Sequence, residues 1–523
     1  MLLKILEEVL GSGEASILRP EHPSARPLAM LVSEFGLDTR GSLDGVEVTG
    51  ITLSTENLQP GDLYVGVPGA RRHGAIFASQ AKAGGAVAVL TDAAGAELAA
   101  DSGLPVVVVE SPREALGAIS AWVYRTADSA PLLFGITGTN GKTSVSYLLH
   151  GILKQLGLVS GLSTTAERTI GDLTVTSSLT TPEATEIHGM LARARESNVR
   201  AVTLEVSAQA LSRNRIDGLV FDVVSFLNLS HDHLDDYADM EEYFAAKLPL
   251  FEPDRARRGV VSLDTPWGDR VVESTHIPVT TVSSTAGIHA DWIIDVLEET
   301  AEYTEFTLTG PENRSLTTRV PVIGRHMAAN AGLAIVMLVE AGFELEAIGH
   351  ALDKDGGIVA YLPGRIERVS GHSGPAAYVD YGHSPDAFLT TMAAVRKFTT
   401  GRLIMVFGAD GDRDPFKRGE MGRIGSEGSD ILVITDYNPR FEDAAAIRAA
   451  LLAGAATAEH PAEVYEVASQ AQAIRRAVEL AREGDTILWA GPGHEDYREV
   501  QGEKLQFSAR DEARQALREA GWA

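Results

Sequence analysis

A glycine-rich turn between a strand pattern and a helix pattern constrains this chain more than any other feature. It reads Gly135-Ile-Thr-Gly-Thr-Asn-Gly-Lys-Thr-Ser144, between the apolar run from Leu132 and a helical pattern from Val145. Such a turn points backbone N–H groups and a helix N-terminus at an anion. The turn predicts a nucleoside triphosphate site with Mg²⁺, formed by Gly138, Thr139, Asn140, Gly141, Lys142, Thr143 and Ser144.

One glycine of this turn is displaced from the usual phosphate-loop pattern. That pattern has a glycine five positions before Gly141, where this chain has Ile136, and the glycine falls at Gly138 instead. In the expected roles, the Lys142 ammonium reaches the outer phosphates and the Thr143 hydroxyl binds Mg²⁺. The alternative is a glycine-rich strand–helix turn that holds no ligand.

The charge and cysteine content exclude several classes of protein. The 523 residues carry a formal net charge of −27, from 72 acidic and 45 basic side chains, which disfavours bulk nucleic-acid binding. The chain has no cysteine, so disulfides and thiolate metal sites are excluded. No apolar run reaches the roughly 18 residues that span a bilayer. We therefore expect a cytoplasmic protein without membrane insertion, and an amphipathic or disordered start at Met1–Leu10 rather than a signal peptide.

The chain alternates strand and helix patterns throughout, which predicts an α/β protein. At roughly 100–200 residues per domain, two to four domains are expected. The patterns change near a small polar stretch at residues 125–131 and again near Tyr361. We predict three α/β domains over residues 1–128, 129–362 and 363–523, with parallel sheets dominating the last two.

A carboxylate and an imidazole follow predicted strands in the central domain. Glu205 ends one strand, and His233 comes just after another. Both could reach a metal near the phosphates, because loops at the carboxyl ends of strands line the ligand crevice. From the residues alone, Glu205 is equally well a surface carboxylate, and the loop around His233 is equally well a solvated loop. The residue type alone predicts that Lys247 is a surface cation, since most lysines are solvated.

Several motifs resemble those of the Mur ligases, and the turn at 137–143 also resembles that of the related folylpolyglutamate synthetases. Glu205-Val-Ser-Ala-Gln, Asp232-His-Leu-Asp235 and Tyr243-Phe-Ala-Ala-Lys-Leu-Pro-Leu-Phe251 are similar to three further Mur ligase motifs. The resemblance implies Mg²⁺ ligation by Thr143, Glu205, His233 and Lys247, with Lys247 carbamylated, and catalytic roles for Lys142, Glu205, His233 and Lys247.

The same resemblance implies the substrate-binding residues. Contacts to a UDP-sugar peptide are implied for Leu53, Thr55, Thr180, Thr181, Ser207, Arg213 and Arg215. Contacts to the nucleotide are implied for Asn330, Tyr381 and His383. The segments Gly408-Ala-Asp-Gly-Asp-Arg-Asp-Pro415, Tyr437-Asn-Pro-Arg440 and Gly491-Pro-Gly-His-Glu495 resemble the family motifs Gly-x-Gly-Gly-x-Arg-Asp, Asp-Asn-Pro-Arg and Gly-Lys-Gly-His-Glu. They imply an amino-acid pocket at Arg413, Tyr437, Asn438, Pro439, Arg440, Gly491 and Glu495, where Tyr437 and Pro492 depart from the family pattern.

Together the motifs span almost the whole chain in the family's order. They imply the three-domain Mur ligase architecture, with a central phosphate-loop ATPase-type sheet and a Rossmann-like C-terminal domain. The implied reaction is ATP-dependent ligation of L-lysine or meso-diaminopimelate to the D-glutamate of UDP-N-acetylmuramoyl-L-alanyl-D-glutamate, by a monomer acting on small molecules. Two alternatives stay open: a folylpolyglutamate synthetase-like ligase, and an inactive nucleotide-binding scaffold, which the departures at Ser54, Gln209, Met327, Tyr437 and Pro492 would signal.

Overall fold

The computed structural model describes residues 17–69, 71–127 and 131–522. The predicted start at Met1–Leu10 and three residues of the polar stretch at 125–131 lie outside the described residues.

The strands are mostly short and follow the apolar runs of the sequence. Their bounds are β1 (Arg26–Pro27), β2 (Asp38–Arg40), β3 (Glu47–Val48), β4 (Gly50–Thr52), β5 (Asp62–Gly66), β6 (Ala88–Thr91), β7 (Val106–Val108), β8 (Leu132–Thr137), β9 (Ser160–Ser163), β10 (Glu167–Ile170), β11 (Leu173–Thr176), β12 (Ala201–Glu205), β13 (Phe221–Phe226), β14 (Ala256–Ser262), β15 (Val279–Ser283), β16 (Trp292–Glu299), β17 (Thr304–Thr309), β18 (Ser315–Val320), β19 (Glu367–Arg368), β20 (Ala376–Asp380), β21 (Leu403–Phe407), β22 (Ile431–Ile434), β23 (Glu463–Glu466), β24 (Thr486–Ala490), β25 (Tyr497–Val500) and β26 (Glu503–Gln506).

The helices alternate with these strands along most of the chain. Their bounds are α1 (Leu28–Phe35), α2 (Ala78–Ala83), α3 (Ala93–Leu98), α4 (Pro112–Tyr124), α5 (Lys142–Gln155), α6 (Ala184–Glu196), α7 (Ala208–Ser212), α8 (Met240–Ala245), α9 (Pro266–Ser274), α10 (Arg325–Glu340), α11 (Leu345–Lys354), α12 (Pro385–Arg396), α13 (Lys417–Gly428), α14 (Ala444–Ala455), α15 (Gln470–Leu480) and α16 (Ala509–Glu519).

The chain forms two compact units, one of residues 1–135 and 158–222 and the other of residues 136–157 and 223–523. In the first unit, a sheet with the order β2-β7-β6-β5-β4 is parallel except for its edge strand β2. Its apolar strands pack on α1 and α4 around buried side chains such as Leu63, Leu90 and Ile119. The strands of the same unit that follow have the order β11-β10-β9-β12-β8.

The second unit contains two sheet segments. One runs β13-β14-β15-β16-β17-β18, and its last three strands are antiparallel because short turns join them. The other has the order β19-β20-β24-β21-β22-β23 and is parallel except at β19. Its strands Leu403–Phe407 and Thr486–Ala490 are buried throughout, as expected for a parallel sheet covered by helices.

The predicted α/β class is confirmed, and the predicted central domain departs from the expectation of parallel strands in two places. Its segments β9–β11 and β16–β18 are antiparallel, whereas the N-terminal sheet is parallel apart from β2. Hairpin turns such as the one at Gly310 allow that reversal. Among the residues described, no helix combines the length and the apolar character needed to cross a membrane.

Candidate active site

The glycine-rich turn joins β8 to the N-terminus of α5 in a conformation that requires glycine at two positions. Gly138 has φ 155° and Gly141 has φ 90°. A Cβ atom at Gly138 would lie 2.9 Å from the Leu227 side chain, and one at Gly141 would lie 3.0 Å from Asn330. Ile136, where the usual pattern has glycine, is instead a buried residue of β8. The chain bends two residues after Ile136, and the glycine is therefore found at Gly138.

Two lysines meet at one backbone carbonyl of this turn. Lys142 Nζ donates to the Gly138 carbonyl oxygen at 2.8 Å and to that of Thr139 at 3.0 Å. Lys247 Nζ donates to the same Gly138 oxygen at 3.4 Å. The predicted phosphate-binding lysine and the predicted carbamylated lysine are thus neighbours, although they lie far apart in the sequence.

Lys247 is one of the most buried polar side chains of the protein. It is 2% exposed, and its Nζ atom lies 4.5 Å from the centre of the Tyr243 ring. Burial, together with the Lys142 charge, holds the pKa of Lys247 well below its usual value. The expectation of a surface cation was therefore wrong, because the side chain enters the interior instead of the solvent.

Asp232 and His233 lie on the loop after β13. Asp232 accepts a hydrogen bond from Lys417 Nζ at 3.0 Å, and its other oxygen lies 3.8 Å from Nε2 of both His233 and His383. Burial alone would raise the pKa of Asp232, but Lys417 and the two histidines outweigh it and hold that pKa below its usual value. Burial lowers the pKa of His233 to about 4, so its imidazole is neutral at pH 7 and can act as a metal ligand.

Glu205 ends β12 in the first unit and is 1% exposed. It accepts hydrogen bonds from the Thr165 backbone N–H at 3.0 Å and from the Thr165 hydroxyl at 3.2 Å. The alternative of a surface carboxylate is thereby wrong for Glu205.

The donor atoms partly fit a magnesium ion. Within the second unit, Thr143 offers a hydroxyl and His233 a neutral imidazole, whereas the amine of Lys247 is a poor ligand for a cation that prefers oxygen. A carbamate on Lys247 would replace that nitrogen with two oxygens. Across the described ranges, no three His, Asp or Glu side chains are grouped to hold a metal ion without such a modification.

The residues implied for the sugar peptide form a hydrogen-bonded group around the end of β12. The buried Thr181 hydroxyl donates to the Glu205 carbonyl at 2.8 Å and accepts from the Ser207 N–H at 3.0 Å. Arg215 donates to Glu183 at 3.1 Å and to the Thr181 carbonyl at 3.3 Å. Thr180 accepts a hydrogen bond from Thr165 at 3.1 Å.

The remaining three residues implied for the sugar peptide have different surroundings. Arg213 is exposed. Leu53 and Thr55 are partly buried near the N-terminal sheet, where Leu53 packs against its core.

A cavity of about 420 Å³ lies beside the phosphate turn in the second unit. Asn330, His326, Leu333, Asp264 and Lys397 are among its lining residues. Asn330 lies on α10 and also approaches the glycine turn at Gly141. The cavity has the mixed apolar and polar wall expected of a small-molecule site.

Tyr381 and His383 lie at the end of β20, close to the loop of Asp232. The guanidinium group of Arg365 lies 4.2 Å from the centre of the partly buried Tyr381 ring. Arg365 also donates to the Thr143 hydroxyl at 2.9 Å. His383 Nδ1 donates to the Tyr381 carbonyl at 2.8 Å, which leaves Nε2 facing Asp232. Tyr381, one of the three residues implied for the nucleotide, is thus connected to the turn through Arg365.

Most residues implied for the amino-acid pocket form one cluster at the ends of β22 and β24. The Tyr437 hydroxyl donates to Glu495, and Asn438 Nδ2 donates to the same Glu495 oxygen at 3.2 Å. Burial raises the pKa of Glu495 to about 7. Pro439 is buried beside Gly411, and Gly491 donates its N–H to the Asp380 carbonyl at 3.0 Å.

Arg440 and Arg413 have different surroundings. Arg440 belongs to the cluster and donates to Glu499 at 3.1 Å and to the Gly411 carbonyl at 3.0 Å. Arg413 lies outside it: its guanidinium is half exposed and lies 4.0 Å from Asp235. The structure therefore groups Tyr437, Asn438, Arg440 and Glu495, and it places Arg413 beside the loop of His233.

Three families match successive parts of the sequence. Residues 47–124 match the Mur ligase family catalytic domain, residues 136–338 the Mur ligase middle domain, and residues 364–493 the glutamate ligase domain of Mur ligases. A UDP-N-acetylmuramyl-tripeptide synthetase of Leifsonia xyli is 63% identical over 507 residues, which cover 97% of this chain and 99% of that protein. The chain belongs to the Mur ligase family.

Other relatives of this Mur ligase support the assignment. A UDP-N-acetylmuramoyl-L-alanyl-D-glutamate–2,6-diaminopimelate ligase of Streptomyces avermitilis is 43% identical, over 96% of this chain and 98% of that one. A solved structure of an enzyme of the same name has a TM-score of 0.63 and 25% identity, covering 96% of this chain and all of that one. A folylpolyglutamate synthase of Mycobacterium tuberculosis, at 18% identity and a TM-score of 0.57 over 72% of this chain, shares the fold alone.

Four residues that contact the predicted site residues of this Mur ligase were not predicted from its sequence. Lys417 pairs with Asp232, Arg365 contacts Thr143, and Asp410 and Glu499 both lie against Arg440. Asp410 carried a usable signal, because it stands where the family motif has glycine. Lys417 carried none, since its partner is 185 residues away along the chain.

Proposed function

We propose that this Mur ligase joins an amino acid to the D-glutamate carboxylate of UDP-N-acetylmuramoyl-L-alanyl-D-glutamate, with ATP as the energy source, in peptidoglycan synthesis. The observation that carries the proposal is the meeting of Lys142 and Lys247 at the Gly138 carbonyl, on a turn that presents a helix N-terminus. A phosphate group bound at that turn would face the Lys142 charge and the helix dipole. The names of the relatives support the choice of acceptor, since they describe tripeptide synthesis and addition to that dipeptide.

The reaction proceeds in two steps. The acceptor carboxylate attacks the γ-phosphorus of ATP, and the bond between that phosphorus and the β-phosphate oxygen breaks. ADP departs, and the acceptor now carries an acyl phosphate. The amine of the incoming amino acid then attacks the acyl carbon, loses a proton and expels inorganic phosphate, so that an amide remains. Lys142 and the N–H groups of the turn stabilise the charge that develops on the transferred phosphoryl group.

Within the second unit, magnesium would be held by Thr143, His233 and a carbamate on Lys247, and when bound it would offset phosphate charge near the transferred group. Asp232 and Lys417 fix the backbone next to His233, because Asp232 Oδ1 also accepts from the His233 N–H at 3.0 Å. Tyr381 and Arg365 support the turn from the side of the third predicted domain, through the hydrogen bond from Arg365 to Thr143.

We further propose that the substrate-binding roles follow the grouping seen in the structure. Thr180, Thr181, Ser207 and Arg215 hold the sugar peptide near Glu205, and Asn330 in the 420 Å³ cavity contacts the nucleotide base. Asn438, Arg440 and Glu495 form the amino-acid pocket. The three-domain division at residues 1–128, 129–362 and 363–523 is part of this proposal, and the three matched segments each fall within one of these domains.

The test is a reconstitution with the purified full chain, ATP and Mg²⁺. Phosphate release should require both the UDP-muramoyl dipeptide and an amino acid, and mass spectrometry should detect the UDP-muramoyl tripeptide. A folate with L-glutamate serves as the matched acceptor control and should release no phosphate. Turnover with the folate alone, or none with any acceptor, would contradict the proposal. Cell fractionation tests the expected cytoplasmic location. Sedimentation tests the expected monomeric state.

A further inference from the structure

Arg440 already has carboxylates on two sides in this structure. Its Nε atom donates to Glu499 at 3.1 Å, and its Nη2 atom lies 3.5 Å from Asp410 Oδ1. Its Nη1 atom donates to the Gly411 carbonyl at 3.0 Å. A carboxylate arriving on a substrate would therefore have to displace an acid of the protein before it could pair with Arg440.

The acids of this cluster are placed differently from those of the family motifs. Asp410 stands where the motif has glycine, and Tyr437 stands where it has aspartate. The buried Tyr437 hydroxyl cannot replace the charge of an aspartate, and it donates its proton to Glu495. The negative charge has thus moved from position 437 to position 410, and it now lies beside Arg440.

Asp410 Oδ1 has the surroundings of an acceptor that lacks a donor. The atom is buried, and within the described part of the chain it accepts no hydrogen bond, although Arg440 lies 3.5 Å away. A buried carboxylate oxygen without a donor is unfavourable, because it has lost its hydrogen bonds to water and gains none from the protein. An ammonium group, which has three donors, would satisfy both Asp410 and Glu495.

The charges around the cluster have a negative excess. Asp410, Glu495 and Glu499 are three carboxyl groups around the guanidinium of Arg440. The guanidinium of Arg418 donates to the Asp410 carbonyl at 2.9 Å, but its charge is already paired with Glu442. The Asp410 charge acts on Glu495, where it adds to the effect of burial in raising the pKa of that group. A second substrate carboxylate would add to this repulsion, whereas a substrate cation would relieve it.

We infer that the amino acid added by this enzyme carries a terminal ammonium group and no second carboxylate, as L-lysine, L-ornithine and L-2,4-diaminobutyrate do and meso-diaminopimelate does not. This inference rests on the proposed function and assigns Asp410 as a residue that determines specificity. Asp410 and Glu495 bind the terminal ammonium, and Arg440 holds Asp410 in place instead of binding the substrate.

The first experiment compares amino acids in the reconstituted reaction with the UDP-muramoyl dipeptide. The panel contains the three diamino monocarboxylic acids, meso-diaminopimelate and L-norleucine as a neutral control. At least one diamino monocarboxylic acid should have a kcat/KM about 100-fold above the values for meso-diaminopimelate and L-norleucine. A higher value for meso-diaminopimelate or for L-norleucine would overturn the inference. If no amino acid gives product, the proposed function fails instead, so the two failures are distinguishable.

Variants then test the role of Asp410. Asp410→Gly should raise the KM of the preferred diamino acid about 30-fold or more while kcat changes little, because a charge pair in the pocket is lost. Asp410→Gly combined with Tyr437→Asp should shift the preference toward meso-diaminopimelate. Asp412→Gly is the matched control, since Asp412 is exposed on the same loop and its loss should leave the preference unchanged. Circular dichroism checks folding, and an unchanged ratio of kcat/KM values in a folded Asp410→Gly enzyme would contradict the inference.

Discussion

Lys417 Nζ donates a hydrogen bond to Asp232 Oδ1 at 3.0 Å, and both side chains are less than a tenth exposed. The pair connects the loop after β13 to the first residue of α13. Asp232 also accepts from the N–H of His233, so the lysine fixes the loop that presents the proposed metal ligand.

Replacing Lys417 should destabilise the protein strongly. Lys417→Met leaves the Asp232 charge buried without its partner, and loss of one member of such a pair costs about 3–5 kcal/mol. Urea unfolding measures the change. Arg423→Met is the matched control on the same helix, because Arg423 pairs with Glu427 at the surface and such pairs contribute under about 1 kcal/mol. Equal losses for the two variants would show that the Asp232 pair has no special weight.

The same pair predicts a dependence of stability on pH. The pKa of Asp232 in the folded protein lies below its ordinary value of 3.8. Its contribution is therefore fully present above that ordinary value and is lost as the pH falls below it. The free energy of unfolding, measured from pH 6 downward, should fall less steeply in an Asp232→Asn variant. Parallel curves for the variant and the parent would contradict the assignment.

Lys142→Ala should reduce kcat/KM by about 100-fold or more, because the charge facing the outer phosphates is lost. Binding of Mg-ATP should also weaken, as titration calorimetry would show. Lys154→Ala is the control, since Lys154 is exposed at the far end of the same helix. A Lys142→Ala enzyme with the activity of the parent would contradict the assignment of this turn as the phosphate-binding loop.

Lys247→Ala should be nearly inactive, and small carboxylates such as acetate should restore part of the activity by entering the vacated space as magnesium ligands. The reason is that the unmodified amine is buried next to Lys142, where a carbamate would supply the missing oxygens. Rates with and without acetate are compared for the variant and the parent. Full activity without acetate would show that Lys247 has only a structural role.

Binding of the amino acid should strengthen as the pH rises through about 7, the value to which burial raises the pKa of Glu495. The ionised carboxylate attracts the substrate ammonium, whereas the protonated form does not. Stability has the opposite trend: the contribution of Glu495 is present below its ordinary pKa of 4.5 and is lost as the pH rises through about 7. Glu495→Gln should show neither trend, and a KM that varies with pH as in the parent would contradict the role.

The phosphate turn and the strands of the parallel sheets were predictable because local patterns determine them. A buried apolar run followed by glycines and a lysine can form few structures, and the run Leu403–Phe407 is buried throughout as a central strand should be. The helix from Lys142 also follows the predicted periodicity.

The environments of the charged residues were not predictable in the same way. Most lysines are solvated, so the residue type alone argues against the burial of Lys247, and only the resemblance to the family indicated otherwise. The partners of Asp232 and Arg440 lie 185 and 59 positions away, at distances for which sequence patterns carry no information. Tyr437 was seen as a departure from the motif, but its hydrogen bond to Glu495 needed the structure.

The burial of Lys247 has a practical consequence for anyone who purifies this enzyme. A carbamate forms when a neutral amine adds dissolved carbon dioxide and releases a proton, and this reaction is reversible. If Lys247 is modified, the active fraction of any preparation is set by mass action, through dissolved carbon dioxide and pH, and not by folding alone. A degassed batch and an untreated batch with identical melting curves should then differ in specific activity. Incubation of both batches with bicarbonate should make their specific activities equal.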